Sequence, residues 1–265
     1  MSDLLIIEPG NGYEIVTLNR PAVLNALSPE LATELLAYFS ALGTRTDVRV
    51  ILLRGAGRAF CAGAELGSDA FTPAGPGRMQ QQMAAQNLYS GIIKAMRACP
   101  QPIIALVHGP ACGGGFSLAL AADVRLAAED ARMNAAYLRI GLGGCDMGSG
   151  YLLPRLVGLS VASELLLTGN FIGAQRALAV GLVSAVVPHD RLLEAGRTMA
   201  ESMLRASPMG LRLTKQTLNV LIDAPSLEAA LAMEDRQQVI LLATDDHVEA
   251  VSAFREKRAP SFRET

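Results

Sequence analysis

Short apolar runs alternate with helical patterns through the first 190 residues, and this order restricts the fold more than any other feature of the sequence. Strand-like runs at Val48–Arg54, Pro102–Val107 and Asp123–Ala127 are each followed by a glycine-rich loop or a helical pattern. A strand, a loop and a helix that recur in this order predict an α/β fold of repeated ββα units. The 265 residues are 51% hydrophobic, which is enough apolar material for a buried core.

After Pro188 the pattern changes to consecutive helices separated by prolines or short polar segments. The four helical patterns cover Arg191–Arg205, Met209–Ile222, Ser226–Ala243 and His247–Arg258. We therefore expect two regions, an α/β core over residues 1–190 and an all-helical region over residues 191–265.

Local signals predict three further features of the first region. Ser28 is a natural N-cap and Pro29 a natural first helical residue, so a helix is predicted to start there. A further helix is predicted near Ser160–Leu167. The glycines and prolines of Gly67–Gly77 favour an irregular loop, a candidate lid.

Charge and residue spacing exclude several functional classes. A net charge of −2 offers no basic field for nucleic acid, so we expect no nucleic-acid partner. The start of the chain lacks a signal-peptide pattern, and no run looks apolar enough to span a bilayer, so we expect a cytoplasmic protein without a membrane partner. The four cysteines form no CxxC pair and the three histidines show no HxxxH spacing, so we expect no metal site.

Two glycine-containing loops follow predicted strands and are candidates for ligand binding. Small residues in Ala59–Leu66 let the backbone approach a ligand closely. In His108–Ser117, three consecutive glycines precede an apolar helix, whose first N–H groups lack helical partners and can bind a negative oxygen. Each loop alone is more often only a tight turn.

Several motifs together carry a family resemblance. They are Leu18-Asn19-Arg20-Pro21, Asn25-Ala26-Leu27, Ala59–Leu66, Gly113-Gly114-Gly115, Leu167-Thr168-Gly169 and Gly181-Leu182-Val183. The chain resembles the crotonase, or enoyl-CoA hydratase/isomerase, superfamily. This resemblance implies a spiral of ββα units, a helical C-terminal region that forms homotrimers or hexamers, and an acyl-CoA thioester as substrate. It implies no cofactor beyond the coenzyme A of that substrate.

The resemblance also implies roles for individual residues. The main-chain N–H groups of Ala64 and Gly114 match the pair that holds the thioester oxygen in this family, an oxyanion hole. Contacts with coenzyme A are implied at Ala22, Val23, Leu24, Ala62, Leu66 and Lys257. For Lys257, a solvated helix end is the alternative.

The two glutamates of a hydratase of this family have no counterpart in the chain. Ser117 and Tyr137 stand at those two positions. Hydration requires a paired acid and base, so we expect acyl-CoA binding with slow or no hydration of crotonyl-CoA. Ser117 can instead be a hydroxyl bonded to backbone, and Tyr137 a wall of the acyl pocket or a hydrogen-bond donor to substrate.

One carboxylate falls at a position where relatives carry a catalytic aspartate. Asp146 lies twelve residues before Gly158, where the resemblance implies proton transfer in isomerases or nucleophilic attack in dehalogenases. The alternative is that Asp146 caps the helix beginning near Gly148. We therefore expect an isomerase-type or hydrolase-type enzyme acting through Asp146, with a non-catalytic acyl-CoA-binding homologue as the alternative.

Overall fold

The computed structural model describes residues 3–67 and 74–263, which form a mixed α/β structure. Its strands are β1 (Leu5–Pro9), β2 (Tyr13–Leu18), β3 (Val50–Gly55), β4 (Ile103–Val107), β5 (Pro110–Cys112), β6 (Val124–Ala128), β7 (Arg132–Asn134), β8 (Ile172–Gly173) and β9 (Ala185–Val187). Its α-helices are α1 (Pro29–Ala41), α2 (Arg78–Ala98), α3 (Gly114–Ala121), α4 (Ser149–Thr168), α5 (Ala174–Ala179), α6 (Leu192–Leu204), α7 (Pro208–Leu221), α8 (Leu227–Leu242) and α9 (Asp245–Glu256).

Two sheets organise the first part of the chain. The larger sheet has the strand order β1-β2-β3-β4-β6-β9, and the smaller has the order β5-β7-β8. In the larger sheet, only the β1–β2 hairpin is antiparallel, and every later pairing is parallel. Parallel neighbours require crossover connections, which α1, α2 and α3 supply in turn. The predicted α/β fold with a helical C-terminal region is confirmed.

Local sequence signals account for the predicted element starts. The Ser28 hydroxyl accepts a hydrogen bond from Leu31 N and so caps α1, whose first residue is Pro29. The four C-terminal helices begin and end within two residues of their predicted bounds. The predicted helix Ser160–Leu167 is longer, because α4 starts at Ser149 and continues through a kink at Gly158, where φ is 77°.

The core lies on both faces of the larger sheet. Side chains of α1, α2 and α3 belong to the main apolar cluster on one face. On the other face, α6 packs against β3, β4 and β6 and forms a second cluster with them. The predicted division at residue 190 stays a prediction, and α6 contributes to the core of the sheet that precedes it.

Two further predictions concern the loop Gly67–Gly77 and the apolar length of α4. The expected irregular loop Gly67–Gly77, proposed from sequence as a lid, falls largely on residues 68–73, which lie outside the described residues. The prediction that no segment is apolar enough to span a bilayer is wrong by length and composition alone, because α4 is both long enough and apolar enough to do so. In α4, Leu153, Ala162 and Leu165 are buried in the core, whereas Leu159 and Leu167 are 72% and 78% exposed.

Candidate active site

The first glycine loop is attached to the segment before α1 by a short stretch of parallel pairing. Leu27 N donates to Gly63 O at 2.8 Å, and Glu65 N donates to Leu27 O at 3.0 Å. Ala64 lies between these two bonds and is itself half-buried. This pairing fixes the main chain on both sides of Ala64 and leaves its own N–H outside the ladder.

The second glycine loop lies directly against the first. Cys112 N donates to Cys61 O at 2.9 Å, which joins the two loops through main-chain atoms. A Cβ atom added at Gly63 would lie 3.3 Å from Gly114 N, and one added at Gly115 would lie 2.1 Å from Cys61 O. The glycines are therefore required by close backbone approach, and they bring Ala64 and Gly114 to neighbouring positions.

Two main-chain donors remain available where the loops meet. Within residues 3–67 and 74–263, no acceptor is hydrogen-bonded to the N–H of Ala64 or of Gly114. Gly114 is the first residue of α3, whose N-cap Gly113 provides no side-chain cap. Two free N–H groups, one at the positive end of a helix, can stabilise an oxygen that gains negative charge.

Polar side chains hold the first loop from the opposite side. Asn25 is fully buried, and its amide nitrogen donates to the carbonyls of Ala56 and Ala59, both at 2.8 Å. Arg20 forms an ion pair with Glu65 at 2.9 Å. Glu65 is thereby engaged as a structural partner beside Ala64.

Ser117 and Tyr137, which are predicted from sequence to replace the hydratase glutamates, are hydrogen-bonded to each other. Ser117 Oγ lies 2.7 Å from Tyr137 Oη, and it also donates to Asp146 O at 3.2 Å. Serine has one hydroxyl proton, so the bond to the carbonyl requires Tyr137 to donate to Ser117. This agrees with the interpretation of Ser117 as a backbone-bonded hydroxyl. The Tyr137 hydroxyl proton is used in the bond to Ser117 and is not available to a substrate.

Burial keeps this pair uncharged. Tyr137 is 6% exposed, and its ring carbon would lie 3.4 Å from a Cβ atom at Gly113. Desolvation raises the pKa of Tyr137 well above its usual range, and the negative charge of Asp146 adds to the effect. Neither member of the pair is therefore a base at neutral pH.

Asp146 is held in the turn before α4 by contacts at every main-chain polar atom. Ser149 Oγ accepts its N–H at 3.1 Å, and Ser149 N donates to its carbonyl at 2.9 Å. Its carboxylate oxygen Oδ1 accepts from Met147 N at 2.7 Å. The N-cap of α4 is Gly148, so Asp146 is not the N-cap residue itself. Its bond to Met147 N is still the main-chain contact that a structural role at this helix start requires, so that alternative stays open.

This turn lies against the start of α3. The Met147 sulfur would lie 3.1 Å from a Cβ atom at Gly114, and Met147 is 5% exposed with a φ of 44°. The Asp146 carbonyl accepts a hydrogen bond from Ser117, one turn into α3, and the Asp146 carboxylate is close enough to Tyr137 to contribute to its raised pKa. Asp146 therefore lies beside the first turn of the helix that begins with Gly114, and its catalytic role stays a prediction.

The residues predicted to contact coenzyme A fall into two groups. A 3₁₀ turn carries the exposed Ala22 and Val23, and the next residue, Leu24, accepts a hydrogen bond from Ala62 N at 2.9 Å. Leu66 is 68% exposed and follows Glu65 in the first loop. The structure therefore joins Leu24 to Ala62, and the predicted contacts of all five residues with coenzyme A stay predictions.

Lys257 stands apart from that group. It is exposed and ends α9 in the left-handed conformation, with a φ of 56°. No contact within the described chain joins it to the Ala22–Leu24 turn, so its coenzyme A contact stays a prediction.

Gln86 is a site residue that the sequence did not indicate. It lies on α2, half-buried, and its Nε2 donates to Asp146 Oδ1 at 2.5 Å across 60 positions of sequence. Gln86 belongs to a glutamine-rich stretch that includes Gln80, Gln81 and Gln82. Nothing local distinguishes it from those neighbours.

Comparisons with known proteins place the chain in a family. The model of the enoyl-CoA hydratase/isomerase family matches residues 8–265. A Mycobacterium tuberculosis protein named "Probable enoyl-CoA hydratase EchA12" is 39% identical over 265 residues, covering 99% of this chain and 93% of that protein. The crystal structure of the enoyl-CoA hydratase from Bacillus anthracis matches with a TM-score of 0.93 at 32% identity, covering 99% of this chain and 100% of that one. The chain belongs to the enoyl-CoA hydratase/isomerase family, whose members process acyl-CoA.

Named relatives include isomerases as well as hydratases. The 1,2-epoxyphenylacetyl-CoA isomerase of Escherichia coli is 32% identical over 262 residues, covering 99% of both chains. The family therefore does not by itself decide between hydration and isomerisation.

Proposed function

We propose that this protein is an acyl-CoA isomerase in which Asp146 transfers a proton within an enolate held by the N–H groups of Ala64 and Gly114. The observation that carries the proposal is the arrangement around the first turn of α3. Asp146 is bonded to that turn through its carbonyl, and its carboxylate acts electrostatically on Tyr137, whereas Ser117 and Tyr137 are bonded to each other and are neutral. One acid suffices for isomerisation, but hydration requires two.

The proposed reaction moves one proton and one double bond. The Asp146 carboxylate removes a proton from the α carbon of a β,γ-unsaturated thioester, and the electron pair of that C–H bond moves toward the thioester oxygen. The two N–H groups stabilise the negative oxygen. The same carboxyl group returns the proton to the γ carbon, which leaves an α,β double bond. No electrons or atoms are gained, so the reaction requires no cofactor beyond the coenzyme A of the substrate.

The test compares two isomeric substrates. We expect the protein to convert 3-butenoyl-CoA into crotonyl-CoA, and to hydrate crotonyl-CoA slowly or not at all. Asp146→Asn should lower the isomerisation rate at least about a hundredfold, as expected for loss of a proton-transfer group. Asp235→Asn, an exposed aspartate on α8, is the matched control and should retain full activity.

Three outcomes would contradict the proposal. Hydration of crotonyl-CoA as fast as isomerisation would show that the chain is a hydratase despite Ser117 and Tyr137. Full activity of Asp146→Asn would remove Asp146 from the reaction. Binding of both esters without any turnover would support the alternative, a non-catalytic acyl-CoA-binding homologue.

We also propose that the helical C-terminal region assembles the chain into a homotrimer or a hexamer. Support comes from large apolar side chains that α8 leaves exposed, among them Leu227 at 70%, Val239 at 65% and Leu242 at 57%. Exposed apolar surface of this kind is commonly buried by subunit contacts. Light scattering coupled to size exclusion measures the assembly, and a monomer at micromolar concentration would contradict it.

A further inference from the structure

The Asp146 carboxylate is held unequally at its two oxygens. Oδ1 accepts from Gln86 Nε2 at 2.5 Å and from Met147 N at 2.7 Å. In the part of the chain that the structure describes, no donor is hydrogen-bonded to Oδ2. One oxygen is thus anchored twice, and the other is available to a substrate.

The Gln86 contact restricts a torsion that the rest of the turn leaves free. The bonds to Ser117 and Ser149 fix the main chain of Asp146. The terminal torsion of an aspartate side chain is broad, so a single bond from Met147 N leaves the plane of the carboxylate free to turn over a wide range. The two oxygens are equivalent, and a second bond from Gln86, on a different helix, to the same oxygen as Met147 N restricts the angle of that plane.

We propose that Gln86 is a positioning residue that orients the Asp146 carboxylate so that Oδ2 faces the α and γ carbons of the bound acyl group. This inference rests on the proposed function, in which Asp146 transfers the proton. Gln86 itself touches no reacting atom. Its amide also supplies a donor to a charged oxygen, which is among the stronger hydrogen bonds in proteins.

Among the described residues, the side chains that are hydrogen-bonded to Asp146 are uncharged. Tyr137 is the titratable group that faces it from the preceding turn, and that residue stays neutral because burial raises its pKa. The packed helices α2, α3 and α4 present the neutral side chains of Gln86, Ser117 and Ser149. A change at Gln86 therefore acts on the carboxylate without disturbing a charged network.

Gln86→Met tests the inference, because methionine keeps the length of the side chain and removes the donor. We expect kcat for isomerisation of 3-butenoyl-CoA to fall about tenfold while KM stays within about twofold, since the loss affects orientation and not binding. With substrate deuterated at the α carbon, the isotope effect on kcat should increase, because proton transfer becomes slower relative to the other steps. Gln81→Met, on the exposed side of the same helix, is the control and should behave as wild type.

Gln86→Glu gives a second test if the first variant folds poorly. A protonated carboxyl group can donate to Asp146 Oδ1, whereas an ionised one repels it. We therefore expect activity relative to wild type to recover as the pH is lowered from about 8 to about 5. Recovery on protonation is not expected from a residue that merely fills space.

The outcomes separate this inference from the proposed function. An unchanged kcat and isotope effect in Gln86→Met, with Asp146→Asn inactive, would overturn the positioning role alone. Full activity of Asp146→Asn would overturn both. A fall in kcat at constant KM with a larger isotope effect, together with an inactive Asp146→Asn, would support both.

Discussion

The two halves of the candidate site are built from different kinds of contact. The oxyanion half joins two glycine loops through main-chain hydrogen bonds, such as the bond from Cys112 N to Cys61 O at 2.9 Å. The acid half adds the side chains of Gln86, Ser117 and Ser149 to the main-chain bonds from Met147 N and Ser149 N that hold Asp146. Main-chain contacts depend on backbone geometry, whereas side-chain contacts depend on residue identity. We therefore expect substitutions of side chains in the acid half to alter proton transfer without abolishing the binding of the thioester oxygen.

The largest expected effect comes from crowding the oxyanion half. A Cβ atom at Gly115 would lie 2.1 Å from Cys61 O and 2.7 Å from Cys61 Cβ, so Gly115→Ala forces the two loops apart. We expect the free energy of unfolding to fall by about 3 kcal/mol or more, together with loss of acyl-CoA binding. Urea denaturation and calorimetric titration with crotonyl-CoA measure the two effects.

The same substitution in the acid half provides the matched control. A Cβ atom at Gly143 meets no atom within 4 Å. Gly143→Ala should therefore change neither stability nor binding. If Gly115→Ala and Gly143→Ala lowered stability and acyl-CoA binding equally, the proposed difference between the two halves would be wrong.

An intermediate effect is expected from removing one side-chain contact in the acid half. Ser149 is fully buried, and Ser149→Ala leaves the N–H of Asp146 without its acceptor. We expect a loss of about 1–2 kcal/mol in stability and a fall of about tenfold in isomerisation, with acyl-CoA affinity unchanged. Ser160→Ala, exposed on the same helix, should be neutral. A large loss of affinity in Ser149→Ala would show that the two halves are not separable.

The smallest effect concerns the pH dependence of the oxyanion half. His108 is 3% exposed, and its Nε2 contacts Gly57 O at 3.0 Å. Burial lowers the pKa of His108 below the usual value of 6.5, so the unfolded chain takes up the proton more readily than the folded protein. The stability from neutral His108 is complete above pH 6.5 and is lost as the pH falls through the folded pKa.

His108→Gln keeps a donor for Gly57 O and removes the titration. We expect the variant to lose less stability than wild type between about pH 7 and about pH 5 in thermal denaturation. Identical slopes in His108→Gln and wild type would show that the acid sensitivity arises elsewhere.

The sequence predicts the elements whose signals are local. Ser28 and Pro29 predicted the start of α1, and apolar periodicity predicted the four C-terminal helices. The strands β5, β7 and β8 have two or three residues, too few for an alternating pattern to be recognised. The kink at Gly158 was also missed, because a glycine within an apolar helical pattern does not reveal its φ.

The residues of the candidate site also divide into those that sequence motifs indicate and those that only the fold brings together. Glycine motifs and the family resemblance led to Ala64 and Gly114, and the structure brings their loops together. The bond between Ser117 and Tyr137 joins residues 20 positions apart, and the Gln86 contact spans 60. Neither could be predicted from local patterns, because both depend on how α2, α3 and the turn before α4 meet.

The unpaired N–H at Ala64 has a consequence in genetic terms. Because that donor belongs to the main chain, every amino acid except proline supplies the same N–H group at this position. Ordinary drift at position 64 therefore leaves the donor intact, and alanine scanning cannot delete it. The acidic side chains of the site can therefore change during evolution while the N–H group that binds the thioester oxygen is retained.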